Sequence, residues 1–253
     1  MITAVLGGFG VGKTHWIKEQ IQQKNEDIFY FSPQTQTFPV DGAFLQSFYP
    51  DLSIVGVKSA SELMDLGNSY AVFLEIPEYL DLDNINPLIS ALECHCVAIV
   101  GKEENQGKWS DFADEIIINQ NVKYGYSLDV LPDLQIHRAS LMGEVLDYAS
   151  LETFWQELTL GAYGEILRGK GIFNILDGQC VYGEYLKDSF KYDFQPLDLP
   201  LSLEGRPTYF SGLEVVGNNL DKQGIADTLG DFCLADEAVS FYQQQVKQVL
   251  ENK

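Results

Sequence analysis

Arginine is absent from the first 133 residues of this 253-residue chain, and basic residues are scarce throughout. Sixteen Lys and Arg face 37 Asp and Glu, a formal charge of −21. Binding to nucleic acid or an anionic membrane surface needs clustered cations to neutralise phosphates, and no such cluster exists. The acidity is general: residues 1–133 hold seven Lys and 19 acids, a charge of −12, and residues 134–253 hold nine basic and 18 acidic residues, −9. Four cysteines (Cys94, Cys96, Cys180, Cys233) are too few for a disulfide scaffold. No apolar run approaches the roughly 18 residues of a membrane helix. No leader-like segment precedes the first strand-like run, so a cytoplasmic location with reduced thiols is expected. What the chain does have is 45% hydrophobic and 12% aromatic residues, enough for folded domains in spite of the charge.

The first half alternates short apolar runs with helical patterns. Ile2–Leu6, Asp27–Phe31, Leu52–Val55, Ala71–Ile76, Cys96–Val100 and Glu115–Ile118 have the length and the β-branched or aromatic content of buried strands. Between them, His15–Lys24, Ser59–Leu66 with its Ser59-x-x-Glu62 capping box, and Asn86–Leu92 with Pro87 in its first turn read as helices. The alternation predicts a mostly parallel α/β sheet covered on both faces. After about Asp133 the rhythm changes. Leu134–Leu141, Gly171–Leu176, Gln179–Tyr182 and Thr208–Val216 read as strands, with Asp177-Gly178 as a hairpin turn. Ser150–Leu167, Ile225–Leu234 and Ala238–Leu250 read as helices. The expectation is a nucleotide-binding unit at 1–133 and a smaller α+β unit at 134–253.

Gly7-Gly8-Phe9-Gly10-Val11-Gly12-Lys13-Thr14 satisfies G-x-x-x-x-G-K-[ST] between a strand and a helix, the context a phosphate-binding loop requires. Gly7, Gly8, Gly10 and Gly12 let the backbone N–H groups approach phosphate oxygens without a Cβ in the way, and the following helix adds its positive N-terminal end. Lys13 is placed to reach the β- and γ-phosphates and the Thr14 hydroxyl to ligate Mg²⁺. Ala71-Val-Phe-Leu-Glu75 ends a second apolar strand in a carboxylate, so Glu75 is the candidate for the metal's water shell or for orienting an attacking water. The alternative for Glu75 is a solvated strand-end acid. Glu78, Asp81 and Asp83 read as a solvated acidic turn. Cys94 and Cys96 fall on one face of a strand start and His95 on the other, so a transition-metal site there competes with ordinary burial of the thiols. His15 and His137 read as structural.

Three runs resemble the CobW-type family of P-loop GTPases: Leu6–Thr14, Gly164-Glu-Ile-Leu-Arg-Gly-Lys-Gly-Ile-Phe173, and Tyr209-Phe-Ser-Gly-Leu-Glu-Val-Val-Gly-Asn-Asn-Leu-Asp221. The resemblance implies a P-loop NTPase unit followed by a CobW-type C-terminal α+β unit, GTP or ATP with Mg²⁺, transition-metal handling with Zn²⁺ as one candidate, and delivery to a client protein. It places Asp41 at the family's switch-I acid. Departures accompany it. His15 replaces the usual Thr, Ser32-Pro33 replaces an Asn-Glu, and Ile54–Ser59 contains none of the family's thiolates. Asn119-Gln120-Asn121-Val122 lacks the Asp that selects guanine. Two readings follow: a slow nucleotide hydrolase acting through a partner, or a non-hydrolysing interaction or scaffold protein that keeps the fold. Arg168, a candidate for transition-state charge stabilisation, and Lys170 are the cations best placed near the junction of the two units; alternatively they suit the C-terminal end of the helix expected over Ser150–Leu167.

Overall fold

The computed structural model describes residues 1–24, 27–33, 38–56, 59–80, 82–103, 106–122, 134–187 and 194–252. The chain divides into two compact units, Met1–Pro132 and Asp133–Lys253. Asp81 lies outside the described residues.

Among the described residues of unit 1, six strands form one parallel sheet: β1 (Ile2–Leu6), β2 (Ile28–Phe31), β3 (Ser53–Ile54), β4 (Ala71–Glu75), β5 (His95–Gly101) and β6 (Glu115–Asn119). Their order is β3-β2-β4-β1-β5-β6. Central strands buried on both sides explain the unbroken apolar runs. Ile2, Ala4 and Leu6 of β1 pack with Val72 and Leu74 of β4 and Ala98 and Val100 of β5 on one face. Leu63 from α3 (Ala60–Ser69) and Ile85 and Ile89 from α4 (Leu82–Ala91) cover that face. Ser59 caps α3, accepting from the Glu62 N–H at 3.3 Å. Helix α4 begins four residues earlier than the sequence suggests, which puts Pro87 at its sixth position instead of its first turn. Helix α1 (Lys13–Gln22) buries Ile17 and Ile21, and Trp16 meets Phe73 edge-on at 6.3 Å. Helix α2 (Val40–Phe48) was not anticipated, because Asp41-Gly42 interrupts its opening turn. Its buried Val40, Phe44 and Leu45 nonetheless follow a helical spacing.

Unit 2 is built on an antiparallel sheet of order β10-β9-β8-β11-β7. The strands are β7 (Gln135–Ser140), β8 (Glu165–Asn174), β9 (Cys180–Leu186), β10 (Gln195–Pro196) and β11 (Gly212–Asn218). Asp177-Gly178 turns β8 into β9, with Gly178 at φ +87°. Helix α5 (Tyr148–Thr159) lays Leu151, Phe154, Trp155 and Leu158 on the sheet, where Gly169 and Gly183 make room for the Trp155 indole. It ends at Thr159, well before the expected Leu167. Gly161 (φ +88°) and Gly164 (φ +116°) leave helical geometry, and a Cβ at Gly164 would lie 2.6 Å from the Asn219 carbonyl oxygen. Ile166, which continues the helical spacing in sequence, is buried as a strand residue. Helices α6 (Lys222–Phe232) and α7 (Asp236–Glu251) complete the unit. Strand β11 starts at Gly212, four residues after the expected Thr208. No helix among the described residues is long and apolar enough to cross a membrane.

Candidate phosphate-binding site

Strand β1 is central, with β4 and β5 on either side, so the loop that follows Leu6 emerges at the carboxyl edge of the sheet, where α/β units place ligands. Gly7 runs on beside β5: Leu6 is in register with Ala98, and a Cβ on Gly7 would sit 2.3 Å from the Ile99 carbonyl oxygen. Its φ of +145° excludes a side chain independently. Gly10 (φ +75°) and Gly12 (φ +95°, ψ +28°) supply the left-handed turns that curl the backbone into the start of α1. Gly12 occupies the N-cap position with no capping side chain, and no acid stands in the first turn of α1. The opening N–H groups of that helix therefore present the positive end of its dipole with no side chain capping it and no first-turn acid. Gly8 contributes its carbonyl oxygen to Lys13.

Lys13 is folded back over the loop. Its Nζ donates to the carbonyl oxygens of Gly7 (3.0 Å) and Gly8 (3.1 Å) and pairs with the Glu78 carboxylate at 2.8 Å. Thr14 donates its hydroxyl to Glu75 Oε1 at 2.9 Å, and Tyr30 donates its hydroxyl to Glu75 Oε2 at the same distance. Glu75 is 5% exposed, which decides against a solvated strand-end acid. Burial, then the charges of Glu75 and Asp41, holds the Tyr30 phenol well above its ordinary value, so it stays a neutral donor. Asp41, in the first turn of α2, is therefore within electrostatic reach of the Glu75 cluster. A hard divalent cation such as Mg²⁺ takes oxygen donors and keeps several of its waters. Thr14, Glu75 and Asp41 offer oxygens only, so this donor set fits Mg²⁺.

Three participants escaped the sequence reading. Glu78 is not part of a solvated turn; its side chain is 8% exposed against a Lys13 side chain 4% exposed. Tyr30 carries no motif and is found only because β2 lies beside β4. Asn119, at the end of β6, donates from Nδ2 to the Val11 carbonyl at 2.9 Å and accepts the Asn121 N–H on Oδ1 at 3.0 Å. It ties the loop to the far side of the sheet, and a Cβ on Gly12 would lie 3.0 Å from that same amide nitrogen.

The other candidates separate from this site. Cys96 joins the core under α3 and α4, and Cys94 packs against it. His95 turns outward, 3.6 Å from Asp114 and 3.8 Å from Glu115. No group of three or more metal-ligating side chains converges among the described residues. Burial pushes the Cys94 thiol up to about 12 and the Cys96 thiol to about 11, with Cys180 and Cys233 at about 12 and 11. All four are neutral thiols near neutral pH and correspondingly unreactive as nucleophiles. Labelling of the folded chain by a thiolate-specific disulfide reagent at pH 8 is expected to run about 100-fold or more slower than labelling of a small free thiol, since each raised unit removes about tenfold of the thiolate. Labelling at the free-thiol rate would contradict the burial. His15 is exposed, 5.8 Å from the Phe44 ring. His137, on β7, buries an Nε2 that has no hydrogen-bond partner, and burial followed by the charge of Lys222 lowers its pKa. Arg168 and Lys170 do not cap a helix; they are strand residues of β8, paired with Glu184 (3.1 Å) and Glu214 (3.2 Å). Glu214 also binds Arg138 at 2.7 Å.

A parallel six-stranded sheet with a glycine-rich loop running from its central strand into a helix is a P-loop type α/β unit, followed here by an antiparallel α+β unit. No family model matches the chain, and no curated protein matches it. Two solved structures are similar: the Zn(II)-bound YjiA GTPase from E. coli, at a TM-score of 0.33, and a Zn(II)-bound triple mutant of YjiA GTPase, at 0.34. Each is 12% identical, with 91% of this chain and 98% of the other covered. That likeness assigns neither a residue role nor an activity.

Proposed function

We propose that the chain binds a nucleoside phosphate with Mg²⁺ at Gly7–Thr14 and is a slow nucleotide hydrolase of CobW-like character, acting in the cytoplasm through a partner protein. GTP is the first candidate and ATP the second. The observation that carries this reading is the loop itself: positive-φ turns at Gly7, Gly10 and Gly12 lead into an uncapped helix start, with Lys13 folded over it and Thr14 on a buried carboxylate. Glycine turns without a ligand do not require a buried lysine and an acid at the end of the neighbouring strand. In this reading the backbone N–H groups and Lys13 bind the phosphates, while Thr14 and Glu75, with Asp41 nearby, would hold Mg²⁺. The ion's chemistry, when bound, is neutralisation of phosphate charge. Glu75 also accepts hydrogen bonds from Thr14 and Tyr30, one on each oxygen, which fix its orientation.

A second reading, a nucleotide-binding protein without hydrolysis, is favoured by the lack of any arginine in unit 1 to stabilise transition-state charge. One experiment separates the outcomes. GTP or ATP with Mg²⁺ at about 100 times its dissociation constant should stabilise the protein by about 2.7 kcal/mol, seen as a rise in melting temperature. No rise with either nucleotide at millimolar concentration would overturn the proposal. Repeated turnover in a phosphate-release assay supports the hydrolase, and substoichiometric release over hours supports the second reading.

A further inference from the structure

Glu78 follows Pro77 and sits in a turn closed by the Leu80 N–H donating to the Pro77 carbonyl at 3.0 Å. The carboxylate is thus carried on a closed turn next to the end of β4, and it reaches into the loop to meet Lys13 with both side chains almost fully buried. An ammonium has three N–H donors and no acceptor capacity. On Lys13 those three are matched by three acceptors: the Gly7 oxygen, the Gly8 oxygen and Glu78 Oε2. The two carbonyl contacts fix the side chain over the loop. The third donor is held by an anion that belongs to the protein, so a terminal phosphate oxygen would have to compete with Glu78 for it.

We infer that Glu78 is an internal substitute for the terminal phosphate, making this a site that selects nucleoside diphosphates over nucleoside triphosphates. The inference rests on the nucleotide reading of Gly7–Thr14. A diphosphate can use the backbone N–H groups of the loop and the start of α1 and take a Lys13 donor from a loop carbonyl, while Glu78 keeps its place on the ammonium. A triphosphate brings a further negative group to the same ammonium, so either two anions share one cation in a poorly screened pocket or the Lys13–Glu78 pair must break. No arginine lies within residues 1–133 to compensate the extra charge. Glu78 is in these terms a specificity-determining residue, acting on which phosphate chain the loop accepts.

The test is calorimetric titration, in the presence of Mg²⁺, of GDP against its non-hydrolysable triphosphate analogue and of ADP against its own. The proteins are the full chain, Glu78→Gln and Glu78→Ala, each checked for unchanged secondary structure by circular dichroism. The wild type is expected to bind the diphosphate about tenfold or more tightly than the analogue; Glu78→Gln should raise analogue affinity by about tenfold and diphosphate affinity by less than about threefold. Glu78→Ala should move the ratio in the same direction. Triphosphate-analogue binding that appears only once Glu78 is neutralised, with diphosphate bound by the wild type, would also support the inference. A diphosphate-to-triphosphate ratio unchanged in both variants would overturn it and leave the nucleotide site standing. Failure of every nucleotide to bind wild type and variants would overturn the inference and the nucleotide reading together.

Discussion

Gly7→Ala is expected to unfold unit 1 or leave it severely destabilised. Two independent costs meet at this position. The residue holds φ at +145°, where an L side chain is strained by an order of 1–3 kcal/mol. Its Cβ would also fall 2.3 Å from the Ile99 carbonyl oxygen and 2.8 Å from the Val11 side chain. The carbonyl is backbone of the central strand β5 and cannot rotate away, so relief requires separating β1 from β5 where Leu6 and Ala98 are in register. Overpacking of this kind adds about 1–3 kcal/mol, and the total of about 2–6 kcal/mol is a large part of the stability of an ordinary domain. Urea denaturation followed by far-ultraviolet circular dichroism should show unit 1 melting at much lower denaturant while unit 2 persists, giving two separated transitions. Gly56→Ala is the control, since nothing lies within 4 Å of its added Cβ. A Gly7→Ala curve that overlays the wild type would contradict the placement of the loop against β5.

Lys13→Ala is expected to remove nucleotide binding, and its effect on the empty protein is part of the prediction. In the folded chain Lys13 and Glu78 neutralise each other at 2.8 Å, out of water. Deleting the ammonium takes that cation from a buried carboxylate, and breaking a buried pair from one side costs about 3–5 kcal/mol of stability. The Glu78 charge, no longer offset by Lys13, then repels an incoming phosphate as well, so the affinity lost exceeds what the lysine's own hydrogen bonds contribute. A fall in affinity of about 100-fold or more corresponds to about 2.7 kcal/mol, within the range for truncating one partner of a buried charge pair. Lys13→Ala combined with Glu78→Ala should recover much of the stability and little of the binding. Recovery of both would mean that Lys13 holds Glu78 and not phosphate.

Much of unit 1 is legible from its residues because each strand is buried on both faces, and a run such as Ala71-Val-Phe-Leu has few other places to go. The loop is legible because strand, glycines and Lys-Thr occur in one contiguous stretch. Other features depend on partners far apart in the chain. Glu78 looks like one more acid in an acidic turn until Lys13, 65 residues earlier, is seen beneath it. Asn119 reads as a failed base-selecting motif, yet its amide secures the Val11 carbonyl 108 residues away. The helix expected over Ser150–Leu167 misleads for a local reason: Leu158, Ala162 and Ile166 keep a four-residue spacing across two glycines whose positive φ ends the helix. The consequence is chemical as well as structural, since Arg168 and Lys170 move from a helix end into a buried ion-pair network on β8. The neighbouring thiols Cys94 and Cys96 do fall on one side of their strand, but that side is the core.

Calorimetric titration of wild type, Lys13→Ala and Lys13→Ala/Glu78→Ala with GDP, GTP, ADP and ATP in the presence of Mg²⁺ decides whether Gly7–Thr14 is a nucleotide phosphate cradle. Saturable one-to-one binding of at least one nucleotide to the wild type, lost in both variants that lack Lys13, is the predicted result. Absence of binding in the wild type at millimolar nucleotide, or binding equally strong without Lys13, would contradict it.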